Sequence, residues 1–286
     1  MTGKQIMITG GTSGIGLAAA EALAALGENI VIVGRNATRT KIAAARIRAT
    51  AAKGATIGTL IADLASQGAV RKLAAEVLDR YPRVDVLINN AGAMYTTRQV
   101  TNDGIELTWA VNHLAPFLLT TLLLDQLKAS TPSRIITTSS EAHQGTDIPF
   151  DDLNAEKSYG GFARYKQSKL ANILFTSELA RRLNGSGVTA HCFHPGLVAS
   201  GFNRNNGVLM NLAMTMLWPM SRSVEKGAET LVWLATSADA VKTDGGYCVD
   251  MERQLPSPQG QDVQAAQRLW EISEAQCAGS STEARR

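Results

Sequence analysis

The stretch "KQIMITGGTSGIGLAAAEALAAL", Lys4 to Leu26, decides the fold. Its first six residues are a mostly apolar run of strand length, its last ten an alanine- and leucine-rich run that suits a helix, and glycines at 10, 11, 14 and 16 join them. Strand, glycine turn and helix in that order open a β-α-β unit of the kind that holds a dinucleotide. Glycine lets the backbone turn sharply and come close to a pyrophosphate, whose charge then faces the free amides and the positive end of the helix. Gly10, Thr12, Ser13, Gly14, Ile15 and Gly16 are the residues of that turn expected to touch the cofactor.

The alternation continues outward from this unit. Strands are expected near 4–9, 29–33, 55–61, 84–88, 133–138, 188–193 and 245–250, with helices near 14–26, 38–52, 66–80, 104–128, 160–184 and 223–236 and a weaker one at 261–277. Pro116 should kink the fourth helix. Repeated β-α units predict an α/β chain: a single-domain, doubly wound Rossmann fold whose seven-stranded parallel sheet carries helices on both faces. The domain is expected to span 1–277, with a functional flap at about 195–222, a connection too long for a simple turn, and a disordered tail at 278–286.

Composition narrows the function. The chain of 286 residues is 45% apolar, enough to bury one large core. Its 28 basic and 25 acidic residues are dispersed, and without a basic block nucleic acid is not an expected partner. Cys192, Cys248 and Cys277 are far apart, which suits neither a disulfide framework nor a thiolate metal site, and His113, His191 and His194 lack metal-ligand spacing. No metal is expected. The start of the chain enters a strand at once and leaves no room for a signal peptide, so a reducing cytoplasm is the expected compartment. The apolar run "HLAPFLLTTLLL" at 113–124 is too short to span a bilayer.

The end of the second strand bears on which dinucleotide is bound. A nucleotide without a 2′-phosphate is usually held by a carboxylate about twenty residues past the glycines, whereas here "VIVGRN" offers Arg35. A guanidinium fork suits a phosphate that an acid would repel, so NADP(H) is favoured over NAD(H). Asp63, past the third strand, fits either a bond to the adenine amino group or a helix cap.

The segment "RYKQSKLANILF", 164–175, places Tyr165 and Lys169 one helical turn apart on one face. Hydride exchange with a nicotinamide requires that a proton leave or join the same substrate oxygen, and a phenol does this only if its proton is loosened. Lowering a phenol from about 10 by two or three units needs roughly 3–4 kcal/mol. An ammonium about 5 Å away supplies roughly 3 kcal/mol at an effective dielectric near 20.

"TGGTSGIG" at 9–16, "NNAG" at 89–92, "TTSS" at 137–140, "YKQSK" at 165–169 and "HPGLVAS" at 194–200 together resemble the short-chain dehydrogenase/reductase family, in order and spacing over residues 4–250. "SSEAH" at 139–143, "SKLANILFTSELARRL" at 168–183 and "RLWEIS" at 268–273 resemble its retinol-dehydrogenase-like subgroup. The resemblance implies Tyr165 as general acid/base, Lys169 as its partner and a grip on the ribose, Ser140 as the group that polarises the substrate, and Asn112 as the structural asparagine that passes protons on through water at a helix irregularity. It also implies cofactor contacts from Leu64 beside Asp63, from Asn89, Ala91 and Gly92, and from Pro195, Gly196, Val198 and Ser200, the last standing where the family often has threonine. The substrate pocket is expected to hold Ser140, Tyr165 and His143, three residues after Ser140.

The implied reaction interconverts an alcohol and a carbonyl on a small hydrophobic alcohol, aldehyde or ketone. Many members of the subgroup begin with a membrane-anchoring segment that this sequence lacks. The methionine-rich run at 207–220 suits a substrate lid, an oligomer contact or a membrane contact. The resemblance implies a homodimer or homotetramer formed through the helices at 104–128 and 160–184; a carboxy-terminal extension lying over one of those surfaces would leave a monomer. The competing reading is a non-catalytic NADP-binding sensor on the same fold, since fold is not function. The complete set Asn112, Ser140, Tyr165 and Lys169 favours the enzyme, because a sensor has no need of a loosened phenol.

Overall fold

The computed structural model describes residues 3–198 and 221–278. Ser200, most of the expected flap with its methionine-rich run, and nearly all of the expected tail lie outside the described residues.

Parallel strands β1 (Gln5–Thr9), β2 (Asn29–Gly34), β3 (Ile57–Ile61), β4 (Val86–Asn89), β5 (Ser133–Thr138), β6 (Val188–His194) and β7 (Tyr247–Val249) follow the expected positions. They are arranged in the order 3-2-1-4-5-6-7. An eighth strand, β8 (Glu252–Gln254), adds antiparallel to β7 at the edge, so the sheet has eight strands and not the expected seven. The reversal takes two residues, Asp250 and Met251, both with positive φ (50° and 65°), the backbone that a tight hairpin needs. Its sequence carries neither the glycine nor the apolar alternation that normally marks a hairpin, because β8 is short and exposed on both faces.

The helices are α1 (Gly14–Ala25), α2 (Ala37–Thr50), α3 (Gln67–Arg80), the short α4 (Leu107–Trp109), α5 (Ala115–Leu122), α6 (Leu124–Ala129), α7 (Gly161–Leu183), α8 (Val224–Thr236) and α9 (Val263–Ala278). The single helix expected over 104–128 is divided. A π-helical turn at Ala110–Leu114 links α4 to α5, and Pro116 sits in the first turn of α5. Proline has no N–H for the carbonyl four residues back, here that of Asn112, so the ladder widens just before it.

Strand residues alternate between two apolar layers. Ile6, Ile8, Ile30, Ile32, Val86, Ile88 and Ile136 pack with α1, α2 and α8; Met7, Val31, Val33, Leu87 and Ile135 pack with α3, α5, α7 and α9. Burial on both faces explains the continuous apolar runs of the strands, and each fully buried side chain of this kind contributes roughly 1.5–3 kcal/mol. The carboxy-terminal helix α9 is anchored on the outer side of α7 and α5. The Trp270 ring stacks on Phe175, meets Phe117 edge-on with centroids 4.9 Å apart, and lies under the Arg182 guanidinium. The strand order reverses between β1 and β4, which opens a crevice at the carboxyl ends of the strands, the usual position of a ligand site in such sheets.

Candidate active site

The glycine turn stands at the end of β1. Gly10 has φ +68°, and a Cβ there would meet Ala91 Cα at 2.8 Å; a Cβ on Gly16 would fall 2.5 Å from the Gly10 carbonyl oxygen and 2.4 Å from Asn90 Nδ2. Side chains at these positions would push the turn off β4. Ser13 begins α1 without capping it through its side chain, and the first turn holds no acid, so the amides there are left for an anion. A cradle closed to any Cβ beside uncapped helix amides fits a pyrophosphate.

The turn is fastened by a residue that sequence reasoning passed over. Asn90 Nδ2 donates to the carbonyls of Thr9 and Gly10 at 3.1 and 3.3 Å, while its amide donates to Thr9 Oγ1 at 3.0 Å. The side chain of Asn89 donates from Nδ2 to Thr120 Oγ1 on α5 at 2.9 Å and is buried in the core. Strand alternation decides this: of two consecutive asparagines at the end of β4, the one still in the strand faces the helix layer. The doubling "NN" was the available signal.

Arg35 is exposed at the end of β2. Gly34 before it brings Thr12 close, since a Cβ there would lie 2.6 Å from Thr12 Cγ2. Asp63 is exposed and accepts from the Ala65 amide at 3.0 Å; the cap of α3 is Ser66, so the cap reading of Asp63 does not hold. Leu64 is half-buried beside it. Gly227 of α8 gathers Pro195, Val198 and Ile15, for a Cβ on it would meet Val198 Cγ2 at 2.6 Å and Ile15 Cγ1 and the Pro195 carbonyl at 3.5 Å.

The four residues named for chemistry come from the turn after β5, the π-helical turn and α7, and they converge. A Cβ on Gly92 would lie 3.4 Å from Asn112 Oδ1 and 3.5 Å from Lys169 Nζ, which puts the loop after β4 in contact with both. Asn112 is fully buried: Oδ1 accepts from the Ala93 amide at 2.8 Å, and Nδ2 donates to the Ala93 carbonyl and to Ser168 Oγ. Lys169 Nζ lies 5.5 Å from the Tyr165 ring centroid and donates to the Thr138 carbonyl at 3.0 Å. Asn172 Nδ2 donates to the same oxygen at 3.1 Å. The Ser140 side chain hydrogen-bonds the Tyr165 phenol.

The expected electrostatics are reversed in the protein by itself. Burial pushes the Tyr165 phenol up to about 12, and its hydrogen bond with Ser140 draws it back in part. Burial also pushes Lys169 down to about 8. Each group is disfavoured in its charged form by desolvation, and the ammonium is committed to a carbonyl instead of the phenol.

His143 has both ring nitrogens engaged. It is fully buried, with Nδ1 donating to the Ser140 carbonyl at 2.7 Å and Nε2 accepting from the Ser257 amide at 3.0 Å. It ties the turn at Ser140 to the carboxy-terminal segment. His194 does comparable work: Nδ1 accepts from the amides of Glu141 and Gly196, joining the turns after β5 and β6.

A second arrangement was not foreseen. Arg164, beside Tyr165, forms a buried ion pair with Glu106 at 2.8 Å, stacks over Trp109 and donates to the Leu153 carbonyl. Glu106 in turn caps α4 by accepting from the amides of Thr108 and Trp109. The helix carrying Asn112 and the one carrying Tyr165 are thereby joined.

Comparison with known proteins gives a short chain dehydrogenase family model matching residues 4–208. Retinol dehydrogenase 14 of Homo sapiens is 41% identical, over 96% of this chain and 86% of its own length. A crystal structure of an uncharacterized protein from Mycobacterium Paratuberculosis superposes with TM-score 0.78 at 32% identity, covering 96% of this chain and 93% of that one. A short chain dehydrogenase from Burkholderia cenocepacia J2315, crystallised in complex with NADP, superposes with TM-score 0.68 at 27% identity, covering 86% and 95%.

Proposed function

The chain belongs to the short chain dehydrogenase family and is an NAD(P)-dependent oxidoreductase acting on CH–OH groups; from that premise we propose that it uses NADP(H) to interconvert a hydrophobic alcohol and its aldehyde or ketone, with Tyr165 as the acid/base. The observation that carries this reading is the meeting of Asn112 and Lys169 at Gly92, with Ser140 bonded to the Tyr165 phenol.

Gly10, Thr12, Gly14 and Gly16 would hold the pyrophosphate and Arg35 the 2′-phosphate, while Gly92, Lys169, Pro195, Gly196 and Val198 would surround the nicotinamide half. The bound cofactor supplies or accepts the hydride and, when oxidised, carries a positive ring. Ser140 holds the substrate oxygen near the phenol. Tyr165 gives that oxygen a proton in reduction and removes one in oxidation. A phenol near 12 is protonated at neutral pH and so is ready as the acid; the Lys169 ammonium favours the phenolate left behind. Asn112 fixes the Ala93 loop against α7, and the proton leaves through the π-helical turn.

The hydrophobic substrate class is supported by the name of the human relative, and NADP by Arg35 and the NADP-bound bacterial neighbour. Among the described residues no helix is long and apolar enough to cross a membrane. The three cysteines are buried thiols, in keeping with a reducing cytoplasm. α9, lying across α7 and α5, supports a monomer over a pair formed through those helices.

The test is a fluorescence titration with NADPH and NADH, followed by a panel of apolar aldehydes and ketones monitored by cofactor oxidation. NADPH should bind more tightly and be consumed; equal binding of the two would remove the NADP assignment, and binding without consumption on any carbonyl would remove the reaction.

A further inference from the structure

A cavity of about 300 Å3 opens at Glu141, the residue after Ser140, at the carboxyl ends of β6 and β7. Glu141 and Gln144 form one wall, Leu197 and Arg222 another, and Gln254 and Leu255, past the β7–β8 hairpin, the third. The third wall lies beyond the residues matched by the family model. Its size suits part of a small organic molecule, and because Glu141 in its wall directly follows Ser140 in the chain, it suits the part of the substrate remote from the reacting oxygen.

The wall is not uniformly apolar. Leu197 and Leu255 expose 47% and 83% of their surface and offer apolar contact. Arg222 offers no charge to a ligand, because both of its terminal nitrogens are bonded to the Asp250 carboxylate. Glu141 remains, with its side chain 70% exposed. Among the described residues its potential cationic partner is His194, whose Nε2 lies 3.6 Å from Oε2. That ring is held neutral by burial, and its Nδ1 already accepts from two amides, so it presents an N–H and not a full charge. The cavity therefore combines the surfaces of Leu197 and Leu255, two primary amides, the Tyr247 ring and one carboxylate that no full charge among the described residues neutralises. Two leucine side chains set beside a single anionic acceptor recognise a molecule that is apolar along its body and donates a hydrogen bond at its far end, and the carboxylate repels one that ends in an anion.

Resting on the oxidoreductase reading, we propose that the substrate is an amphiphile, a carbonyl or alcohol compound with an apolar body whose distal hydroxyl donates to Glu141, supported by Gln144 and Gln254.

The experiment uses three aromatic aldehydes with the same alkyl chain opposite the carbonyl, ending in methyl, hydroxyl or carboxylate, and compares kcat/KM with NADPH in the full-length enzyme. The hydroxyl compound should exceed the methyl compound about tenfold, a lost hydrogen bond to a charged acceptor, and the carboxylate should fall below the methyl compound. Glu141→Gln keeps the acceptor and drops the charge, so the hydroxyl preference should survive while rejection of the carboxylate disappears. Glu141→Leu should abolish both ratios. NADPH affinity measured alongside shows that each variant is folded. Equal kcat/KM for hydroxyl and methyl compounds in the wild type, or a preference that survives Glu141→Leu, overturns the proposal while leaving the oxidoreductase reading intact. Turnover of none of the three aldehydes with either cofactor would count against that reading itself, and the proposal would fall with it.

Discussion

The Lys169 ammonium lies 5.5 Å from the centre of the Tyr165 ring and is bonded not to the phenol but to the Thr138 carbonyl, at 3.0 Å. Removing the phenolic oxygen therefore leaves the lysine anchored. Tyr165→Phe should keep NADPH affinity within about twofold and lower kcat by two to four orders of magnitude, the range expected for loss of a positioned acid. Titration and single-turnover reduction separate the two effects, and unchanged turnover would remove the assigned role.

Burial sets Lys169 at about 8, well below the 10.5 of a free lysine. Below about 8 it is charged in folded and unfolded chains alike, and the folded state bears the full cost of the desolvated charge. As pH rises through 8 toward 10.5 the folded group loses its proton first and that cost fades. Cofactor binding should move the opposite way, since the charge behind the proposed grip on the ribose is lost over the same range. NADPH affinity should weaken above pH about 8, and Lys169→Arg, which stays charged, should shift that limb out of range. A flat affinity profile in the wild type would contradict the assignment.

Arg35 is exposed and has room to turn toward a ligand, next to the Thr12 end of the phosphate cradle. Arg35→Asp replaces an attraction with a repulsion at the 2′-phosphate and supplies an acceptor for ribose hydroxyls. NADPH affinity should drop by about tenfold to a hundredfold, the worth of one charged hydrogen bond, and NADH affinity should rise. An unaltered ratio of the two dissociation constants would refute phosphate recognition by this residue.

Most of the seven parallel strands were legible because both faces are buried, which makes them apolar runs, while β3 at the sheet edge leaves Ile61 exposed; the glycine turn was legible because only glycine fits against Ala91 and Asn90. Tyr165 and Lys169 were legible because helical spacing places residues four apart on one face. What the sequence hid was long-range pairing. Nothing local distinguishes Asn90 from Asn89 except the side of the strand each faces, and nothing near Glu106 announces a guanidinium 58 residues away. Spacing likewise placed His143 near Ser140 without showing that Ser257 would occupy its other nitrogen. The upward push on the buried phenol was not legible because Coulomb's law between two groups leaves out the water that burial removes from both.

Trp270 holds α9 to the rest of the molecule by stacking on Phe175, meeting Phe117 and carrying the Arg182 guanidinium. Trp270→Ala should cost about 3–5 kcal/mol in denaturant unfolding, the usual range for a large aromatic lost from a core. Light scattering of the same variant should rise with concentration, because loosening α9 bares the apolar faces of α5 and α7. A loss under 1 kcal/mol would mean that α9 is only loosely applied to the surface.

Arg164 and Glu106 are both shut off from solvent, and a buried pair is most damaging when only one member is removed, since the other is left charged without a counterion. Arg164→Met should therefore destabilise by about 3–5 kcal/mol, and Glu106→Gln by a similar amount, because Glu106 also caps α4. With both changed no charge remains buried, so the double variant should be less unstable than the sum of the singles by about 1–3 kcal/mol. The catalytic consequence is separable. Glu106 secures the helix that leads into Asn112, and Arg164 the turn that presents Tyr165, so the restored double variant should still show a lowered kcat with little change in the KM for NADPH. Additive destabilisation would show that the two groups do not act as a pair, and a double variant with wild-type kcat would show that the pair supports the fold without setting the catalytic geometry.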